Sequence, residues 1–128
     1  MARRAAKQRP ILGVLGKDLT RRSRGRCELC DSREETRPFE LAPFPENPTL
    51  ERALMACARC REWLETGAVD PIQAFFLTTA VWSDQPAVKL AAARMLLVCD
   101  DPDSPWMREA LDAVDVDPRT GEFRQSAY

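Results

Sequence analysis

Four of the five cysteines form two C-x-x-C pairs, Cys27-Glu-Leu-Cys30 and Cys57-Ala-Arg-Cys60, with 26 residues between the pairs. A C-x-x-C turn points two thiolates at one metal ion. Two such turns complete a tetrahedral shell of four sulfurs, the closed arrangement that is typical of structural zinc. The spacing therefore predicts one zinc ion with four ligands: Cys27, Cys30, Cys57 and Cys60. The shell keeps a net negative charge, which three flanking arginines can offset: Arg26, Arg59 and Arg61.

Other uses of paired cysteines fit the chain less well. Two disulfides are expected mainly in secreted proteins, and the basic N-terminus is followed only by the short apolar run Ile11–Leu15, too short for a signal peptide. A lone C-x-x-C can be a redox motif, but here there are two and no βαβ pattern surrounds them. Four cysteines can also hold an iron–sulfur cluster. Paired C-x-x-C turns at this distance favour zinc over that cluster.

The fifth cysteine has a different setting. Cys99 recurs at helical spacing with Val88, Ala92 and Met95, which places its thiol on the core face of a predicted helix. A buried free cysteine commonly behaves as a small hydrophobic residue. We therefore do not expect Cys99 to be a metal ligand or a reactive thiol.

The residues that commonly carry out catalysis are scarce. The chain contains no histidine, so it has no side chain that titrates near neutral pH without strong tuning. A metal shell closed by four cysteines leaves no position for an activated water. The sequence also lacks a glycine-rich phosphate-binding loop. It therefore predicts a protein that is not an enzyme.

Charge is distributed unevenly along the chain, although the net charge is only −1. Residues 1–26 carry nine Lys or Arg and one Asp, whereas residues 99–128 carry three basic and eight acidic groups. A basic arm beside a zinc module can contact the phosphates of nucleic acid. The candidate contacts next to the first cysteine pair are Arg21, Arg22, Arg24 and Arg26. The alternatives are a solvated arm or pairing with the acidic C-terminal third.

The N-terminal half reads as a small zinc-bound module. Residues 1–16 are predicted to be a basic flexible tail, and residues 17–66 a module of the treble-clef or zinc-ribbon type. Its predicted elements are a short helix over 16–23, strands over 36–42 and 52–56 that pair as a hairpin, and a helix over 59–66 that Gly67 ends.

Residues 67–128 are predicted to be a helical region packed on that module. Proline after a capping residue marks helix starts at Asp70-Pro71 and Ser104-Pro105, and the predicted helices are 71–81, 85–99 and 104–114. Residues 117–128 are expected to form a turn and a short arm. Apolar residues at helical spacing indicate a core face; they are Ile72, Phe75, Phe76, Val88, Leu90, Met95, Leu96, Trp106 and Leu111. The three tryptophans, Trp63, Trp82 and Trp106, are expected to serve packing more than an interface.

Three stretches resemble a known family. The run Arg22-Ser-Arg-Gly-Arg-Cys-Glu-Leu-Cys30, followed by Phe39-Glu-Leu-Ala-Pro43 and the second C-x-x-C, resembles the zinc ribbon of PhnA-like proteins, which are named after an alkylphosphonate-utilisation operon. Val81-Trp-Ser-Asp-Gln-Pro-Ala-Val and the following helix ending in Arg-Met-Leu96 are similar to a second family segment, and Trp106–Asp112 to a third. The similarity covers about residues 17–117.

The resemblance implies the zinc ligands on the four matching cysteines and little about activity. Longer family members continue into a small β-barrel-like domain that these 128 residues do not contain. The overall expectation is a mainly α protein with a small zinc-bound hairpin, acting in the cytoplasm as a binding or adaptor module for a protein partner. Nucleic-acid binding is the alternative, and a phosphonate-related hydrolase is less favoured. No segment approaches the roughly 18 apolar residues of a membrane helix.

Overall fold

The computed structural model describes residues 12–99 and 103–124. Within these ranges the chain is mainly helical and includes two antiparallel hairpins. The predicted fold class is confirmed to that extent. A short 3-10 helix, Leu50–Arg52, leads into the second strand. The regular elements, in chain order, are α1 (Leu12–Ser23), β1 (Arg37–Glu40), β2 (Ala53–Ala56), α2 (Ala58–Thr66), α3 (Leu77–Ala80), α4 (Pro86–Cys99), α5 (Pro105–Asp112), β3 (Val116–Asp117) and β4 (Glu122–Phe123).

The predicted hairpin between the cysteine pairs is present, with slightly shorter strands. β1 and β2 pair antiparallel, with Arg37 opposite Ala56 and Glu40 opposite Ala53. Every residue of β2 is buried. Because successive side chains of a strand point to opposite faces, Ala53 and Met55 pack against α1 while Leu54 and Ala56 join the main core. β2 therefore connects α1 to the rest of the molecule.

Of the two helices that flank the hairpin, α2 matches its predicted range of 59–66 to within one residue, whereas α1 extends into the predicted tail. The predicted helix over 16–23 begins earlier, at Leu12, and residues 1–11 of the predicted tail lie outside the described residues. α2 ends at Gly67, whose φ of 74° is left-handed and whose N–H donates to the Trp63 carbonyl at 2.8 Å. This is the glycine-terminated helix end that the sequence indicated.

Helix α4 forms the centre of the core, and its observed bounds agree with the prediction of 85–99. It contacts α2, α3, α5 and β2. Much of its buried surface consists of alanines that are fully shielded from solvent: Ala87, Ala91, Ala92 and Ala93. Short side chains allow the neighbouring elements to approach the helix closely on several sides. The larger buried residues of α4, such as Leu90 and Leu96, fill the gaps between those elements.

The predicted helix over 71–81 is wrong for most of its length. The Asp70 carboxylate accepts the Ile72 N–H at 2.9 Å and the Gln73 side-chain amide at 2.9 Å. The backbone then continues through hydrogen bonds between residues three apart, Gln73 to Asp70 and Ala74 to Pro71 among them, and only residues 77–80 form α3. The bond from the Ile72 N–H to Asp70 is the one that caps a helix start, but the turns that follow do not continue as an α-helix until Leu77.

The tight turns change which side chains are buried. Residues three apart lie above one another in such turns, and Ile72 and Phe75 are 90% and 61% exposed. The prediction that both belong to the core is therefore wrong. Trp82, expected to pack, is 69% exposed. Among the other predicted core residues, Val88, Leu90, Met95 and Leu96 are buried.

The C-terminal residues form more structure than the predicted turn and arm. α5 ends at Asp112, two residues before its predicted end, and β3 and β4 then pair antiparallel around a turn containing Gly121 at a φ of 68°. The Arg94 Nε of α4 donates to the Gly121 carbonyl at 2.8 Å. The small hairpin is thereby attached to the central helix. No helix among residues 12–99 and 103–124 is long and apolar enough to cross a membrane.

Glu122 connects three parts of the chain that are distant in sequence. Its carboxylate accepts hydrogen bonds from Arg52 Nη1 and Arg94 Nη2, each at 2.6 Å. Arg52 also donates to the carbonyls of Leu41 and Ala42 at 3.2 and 2.7 Å. The hydrogen bond from Arg52 and the charge of Arg94 lower the pKa of Glu122 below its ordinary value of 4.5, although burial opposes them.

The lowered pKa of Glu122 leads to a pH-dependent contribution to stability. Because the folded-state pKa lies below the unfolded value, the contribution is complete above about pH 4.5 and is lost as the pH falls through the folded pKa. We expect Glu122→Gln to lower the free energy of unfolding by about 1 kcal/mol at pH 7 and by less in acid. Urea denaturation across this range measures it. Glu65→Gln, at an exposed residue of α2, is the control; an equal effect of both variants at every pH would contradict the role of Glu122.

Candidate metal centre

The four predicted ligand cysteines are brought together in the structure. The sulfurs of Cys27, Cys30, Cys57 and Cys60 all lie within 4.8 Å of one another. Cys30 Sγ is 3.6 Å from Cys57 Sγ and 3.9 Å from Cys60 Sγ. Four sulfurs bound tetrahedrally at the usual zinc–sulfur distance are separated by roughly 3.8 Å. None of the five cysteines forms a disulfide. The cluster can hold one metal ion, and its donor set and spacing are consistent with zinc.

The first ligand pair lies on a turn that follows α1. Arg24 and Gly25 both adopt left-handed backbone conformations, with φ of 58° and 75°, and reverse the chain after the helix. Within the turn the Cys27 N–H donates to the Ser32 carbonyl at 2.7 Å, and the Asp31 N–H donates to the Cys27 carbonyl at 2.9 Å. These bonds close a compact loop in which both sulfurs point to the same side.

Glu28 attaches this loop to the hairpin. Its carboxylate forms a two-point ion pair with Arg22 of α1, at 2.6 Å from Nε and 2.8 Å from Nη2. It also accepts the Met55 N–H at 2.8 Å, while the Glu28 N–H donates to the Met55 carbonyl at 2.8 Å. Arg22 reaches the Ala53 carbonyl as well, at 3.0 Å. Glu28 was not among the predicted site residues, although a carboxylate inside a C-x-x-C turn with an arginine six residues earlier is a usable signal.

The second ligand pair lies at the start of α2. Cys57 is the N-cap residue and Cys60 lies in the first turn. Arg61 supports this end of the helix: its N–H donates to the Cys57 carbonyl at 2.9 Å, and its guanidinium donates to the carbonyls of Ala56 and Glu35 at 3.2 and 2.6 Å. The positive end of the helix dipole faces the sulfurs and favours their negative charge.

The pKa values of the thiols show how strongly they interact. Hydrogen bonds from Cys27 and Cys60 hold the pKa of Cys30 well below its usual value. A hydrogen bond with Cys30 raises the pKa of the Cys27 thiol to about 11. Hydrogen bonding to Cys27 and Cys30, with burial, also raises the pKa of Cys60. One thiolate therefore discourages ionisation of its neighbours, and four can ionise together only around a cation.

Arg59 is the arginine that faces the sulfur cluster. Burial acts to lower the pKa of Arg59. The negative charge of Cys30 and the neighbouring sulfurs outweighs burial, so the pKa of Arg59 is raised. The guanidinium carbon lies 4.9 Å from the centre of the Trp63 ring and 5.2 Å from that of Phe76. Of the three arginines expected to offset the charge, Arg26 instead lies 3.1 Å from Asp31.

Cys99 lies apart from the cluster of four sulfurs. Its thiol is half-buried at the end of α4, less than the predicted core position implied, and lies 3.9 Å from the Val69 carbonyl. Burial, together with the charge of Asp70, raises the pKa of Cys99. The protonated thiol is therefore favoured at Cys99.

The arginines predicted to contact nucleic acid are in different environments. Arg22 is committed to the buried ion pair described above, and Arg26 pairs with Asp31. Arg21 and Arg24 are exposed at the end of α1 and its following turn. The part of the arm before residue 12 lies outside the described residues.

The helical half contains a surface feature that the sequence analysis missed. A groove of about 320 Å³, here called the aromatic groove, is lined by Phe75, Thr78, Trp82, Trp106, Glu109 and Ala110. The Phe75 and Trp106 rings meet edge-on, with centres 5.3 Å apart and planes inclined by 72°. Exposed aromatic residues gathered in one place are unusual on a protein surface that has no binding role.

Comparison with known proteins adds no identification: no family model, no curated protein and no solved structure matches the chain. The resemblance to PhnA-like proteins stays a prediction.

The separation of Cys99 from the cluster can be tested with one pair of variants. We expect Cys60→Ala to lose the metal and, with it, folding free energy on the order of 10 kcal/mol. Cys99→Ala, its matched control, keeps one metal ion per chain and lowers stability by about 1 kcal/mol. Native mass spectrometry measures the stoichiometry. Loss of metal from Cys99→Ala would contradict the assignment of the four ligands.

The ion pair between Arg22 and Glu28 gives a second test. Arg22→Met leaves the nearly buried Glu28 carboxylate without its main partner, and we expect it to lower the free energy of unfolding by about 3 kcal/mol. Arg21→Met changes a neighbouring arginine whose side chain is 80% exposed and serves as the control, with little effect. Chemical denaturation of both variants decides the matter: similar stability would mean that the pair does not hold the first ligand loop.

Proposed function

We propose that this protein is a non-catalytic binding module in which one structural zinc ion holds a treble-clef or zinc-ribbon-like unit against a helical region. The four-sulfur cluster is the observation that carries the proposal. Three of the sulfur-bearing residues, Cys27, Cys57 and Cys60, are at most 3% exposed. A buried site with four thiolate donors is typical of zinc that stabilises a fold.

The non-catalytic part of the proposal follows from the same donor set. Four cysteine ligands complete a tetrahedral shell, so a zinc ion bound there has no open position for substrate or water. Arg59 contributes positive charge beside the sulfurs and, since arginine keeps its proton, it does not act as a general base. The proposal includes kinship with PhnA-like proteins, supported by the residues that carry the resemblance.

The aromatic groove supports a binding role. Phe75 and Trp82 are 61% and 69% exposed, and Trp106 borders them across the groove. Large aromatic side chains contribute most where they are covered on binding. The zinc unit reaches this region through α4, which contacts both β2 and α5. Zinc thus stabilises the scaffold that presents the groove.

Nucleic-acid binding is the second candidate. It is supported by Arg21 and Arg24, which are exposed on the zinc-binding half. Each phosphate contact lowers log affinity by roughly 0.9 per unit of log salt on duplex DNA, so this function predicts steep weakening with salt.

One experiment compares the two candidates. Affinity capture is carried out with and without nuclease on three tagged proteins: the original chain, Trp82→Ala and Phe123→Ala. Phe123→Ala is the control, because it changes an exposed aromatic residue outside the groove. We expect zinc in all three proteins, and capture that survives nuclease, persists in Phe123→Ala and is lost in Trp82→Ala.

The contrary outcomes are distinct. Iron, or no metal, in the freshly purified protein would overturn the zinc assignment. Nucleic-acid binding would be established instead if nuclease abolishes capture and if the double variant Arg21→Gln, Arg24→Gln also loses it.

A further inference from the structure

We propose that the aromatic groove binds a methylated ammonium group, the cationic head shared by choline-like molecules and trimethylated lysine. The inference rests on the proposed function in taking the groove as the binding face, and it adds the chemistry of the ligand. Three aromatic rings and one carboxylate line this groove of about 320 Å³: Phe75, Trp82, Trp106 and Glu109.

The rings of the groove suit a cationic ligand. A cation is attracted to the face of an aromatic ring, most strongly to tryptophan, and methylated ammonium ions are recognised by several rings at once. Phe75 and Trp106 are inclined by 72° with centres 5.3 Å apart, so they form two differently oriented walls. Trp82 adds a third ring from the segment that leads into α4. An ammonium ion with methyl groups suits such walls because it is both charged and weakly hydrated.

The charge of the groove also favours a cation. The six residues that line it include one charged side chain, Glu109, which is acidic and exposed. Among the described residues, no ion pair uses the Glu109 carboxylate. An anionic ligand would be repelled here, and a purely apolar ligand would gain nothing from Glu109. A cation with an apolar surface gains from both the rings and the carboxylate.

The larger cleft of the molecule is less suited to a charged ligand. It has a volume of about 540 Å³ and lies between α2, α4 and the turn that joins β3 to β4. The partly buried cation at its wall, Arg94, already donates to Glu122 and to the Gly121 carbonyl. The aromatic groove instead combines a carboxylate without an ion-pair partner among the described residues, Glu109, with exposed aromatic rings.

The test uses choline and tetramethylammonium as cationic probes. Dimethylbutanol, which replaces the choline nitrogen by carbon, is the matched neutral probe, and sodium chloride controls for ionic strength. Proton–nitrogen NMR spectra report the three indole N–H groups separately. Trp82 and Trp106 line the groove, whereas Trp63 is 6% exposed beside the sulfur cluster and serves as an internal control.

We expect the cationic probes to shift the indole signals of Trp82 and Trp106 and to leave that of Trp63 unchanged. Dimethylbutanol should bind at least about tenfold more weakly, the loss that removal of the cation–π and carboxylate attractions predicts. Trp82→Ala should abolish the shift of Trp106, and Glu109→Gln should weaken choline binding several-fold. Phe123→Ala, outside the groove, should bind choline as the original chain does.

Equal binding of choline and dimethylbutanol, or no indole shift at millimolar choline, would overturn the proposal. Zinc content is measured in the same samples, so a protein that retains zinc but ignores choline refutes this inference alone, whereas loss of zinc refutes the proposed function. A peptide with trimethylated lysine, compared with its unmodified form, then distinguishes the carriers. If the methylated peptide binds more tightly than choline, the methylated ammonium group belongs to a protein partner. If choline binds more tightly, the group belongs to a small molecule.

Discussion

Mutual repulsion among four thiolates is the constraint on which the rest of the structure depends. Two of the sulfurs follow α1 and two begin α2, and all four lie within 4.8 Å of one another. A cation relieves the repulsion, but only if both segments are held in register. The hairpin supplies this alignment, because β2 runs directly into Cys57 while the Glu28 carboxylate bonds to the middle of β2. Metal binding and strand pairing therefore stabilise each other.

Arginine is the second recurring element of this architecture. Arg22, Arg52 and Arg94 each connect parts of the chain that are far apart, and each donates to backbone carbonyls as well as to a carboxylate. A guanidinium group suits this use because its donors are fixed in a fork and keep their charge when partly buried. In a chain of 128 residues, such connections supplement a small hydrophobic core. Positive charge counted along a sequence is thus a poor measure of the charge available to a partner.

The metal cluster and the hairpin were predictable because their signals are local and strong. Two C-x-x-C turns, a proline-rich connection and Gly67 each determine a short stretch of backbone. The surface of the helical half was not predictable in the same way. At residues 70–76 both the hydrophobic spacing and the cap at Asp70 suit a helix, but the backbone bonds there join residues three apart. Whether Phe75 faces the core or solvent depends on which of these two turn geometries forms, and hydrophobic periodicity does not distinguish them.

The fully buried alanines of α4 restrict how this protein can change during evolution. Cavities cannot easily arise at Ala91, Ala92 or Ala93, because there is almost no side chain to remove. Enlargement is a different matter, since methylene groups added to a close-packed core force neighbouring side chains off their rotamers or shift the backbone. A replacement such as alanine by valine, usually scored as conservative, is therefore costly here. In distant relatives, substitutions should therefore be found in the elements that surround α4 and should be largely absent from its buried alanines.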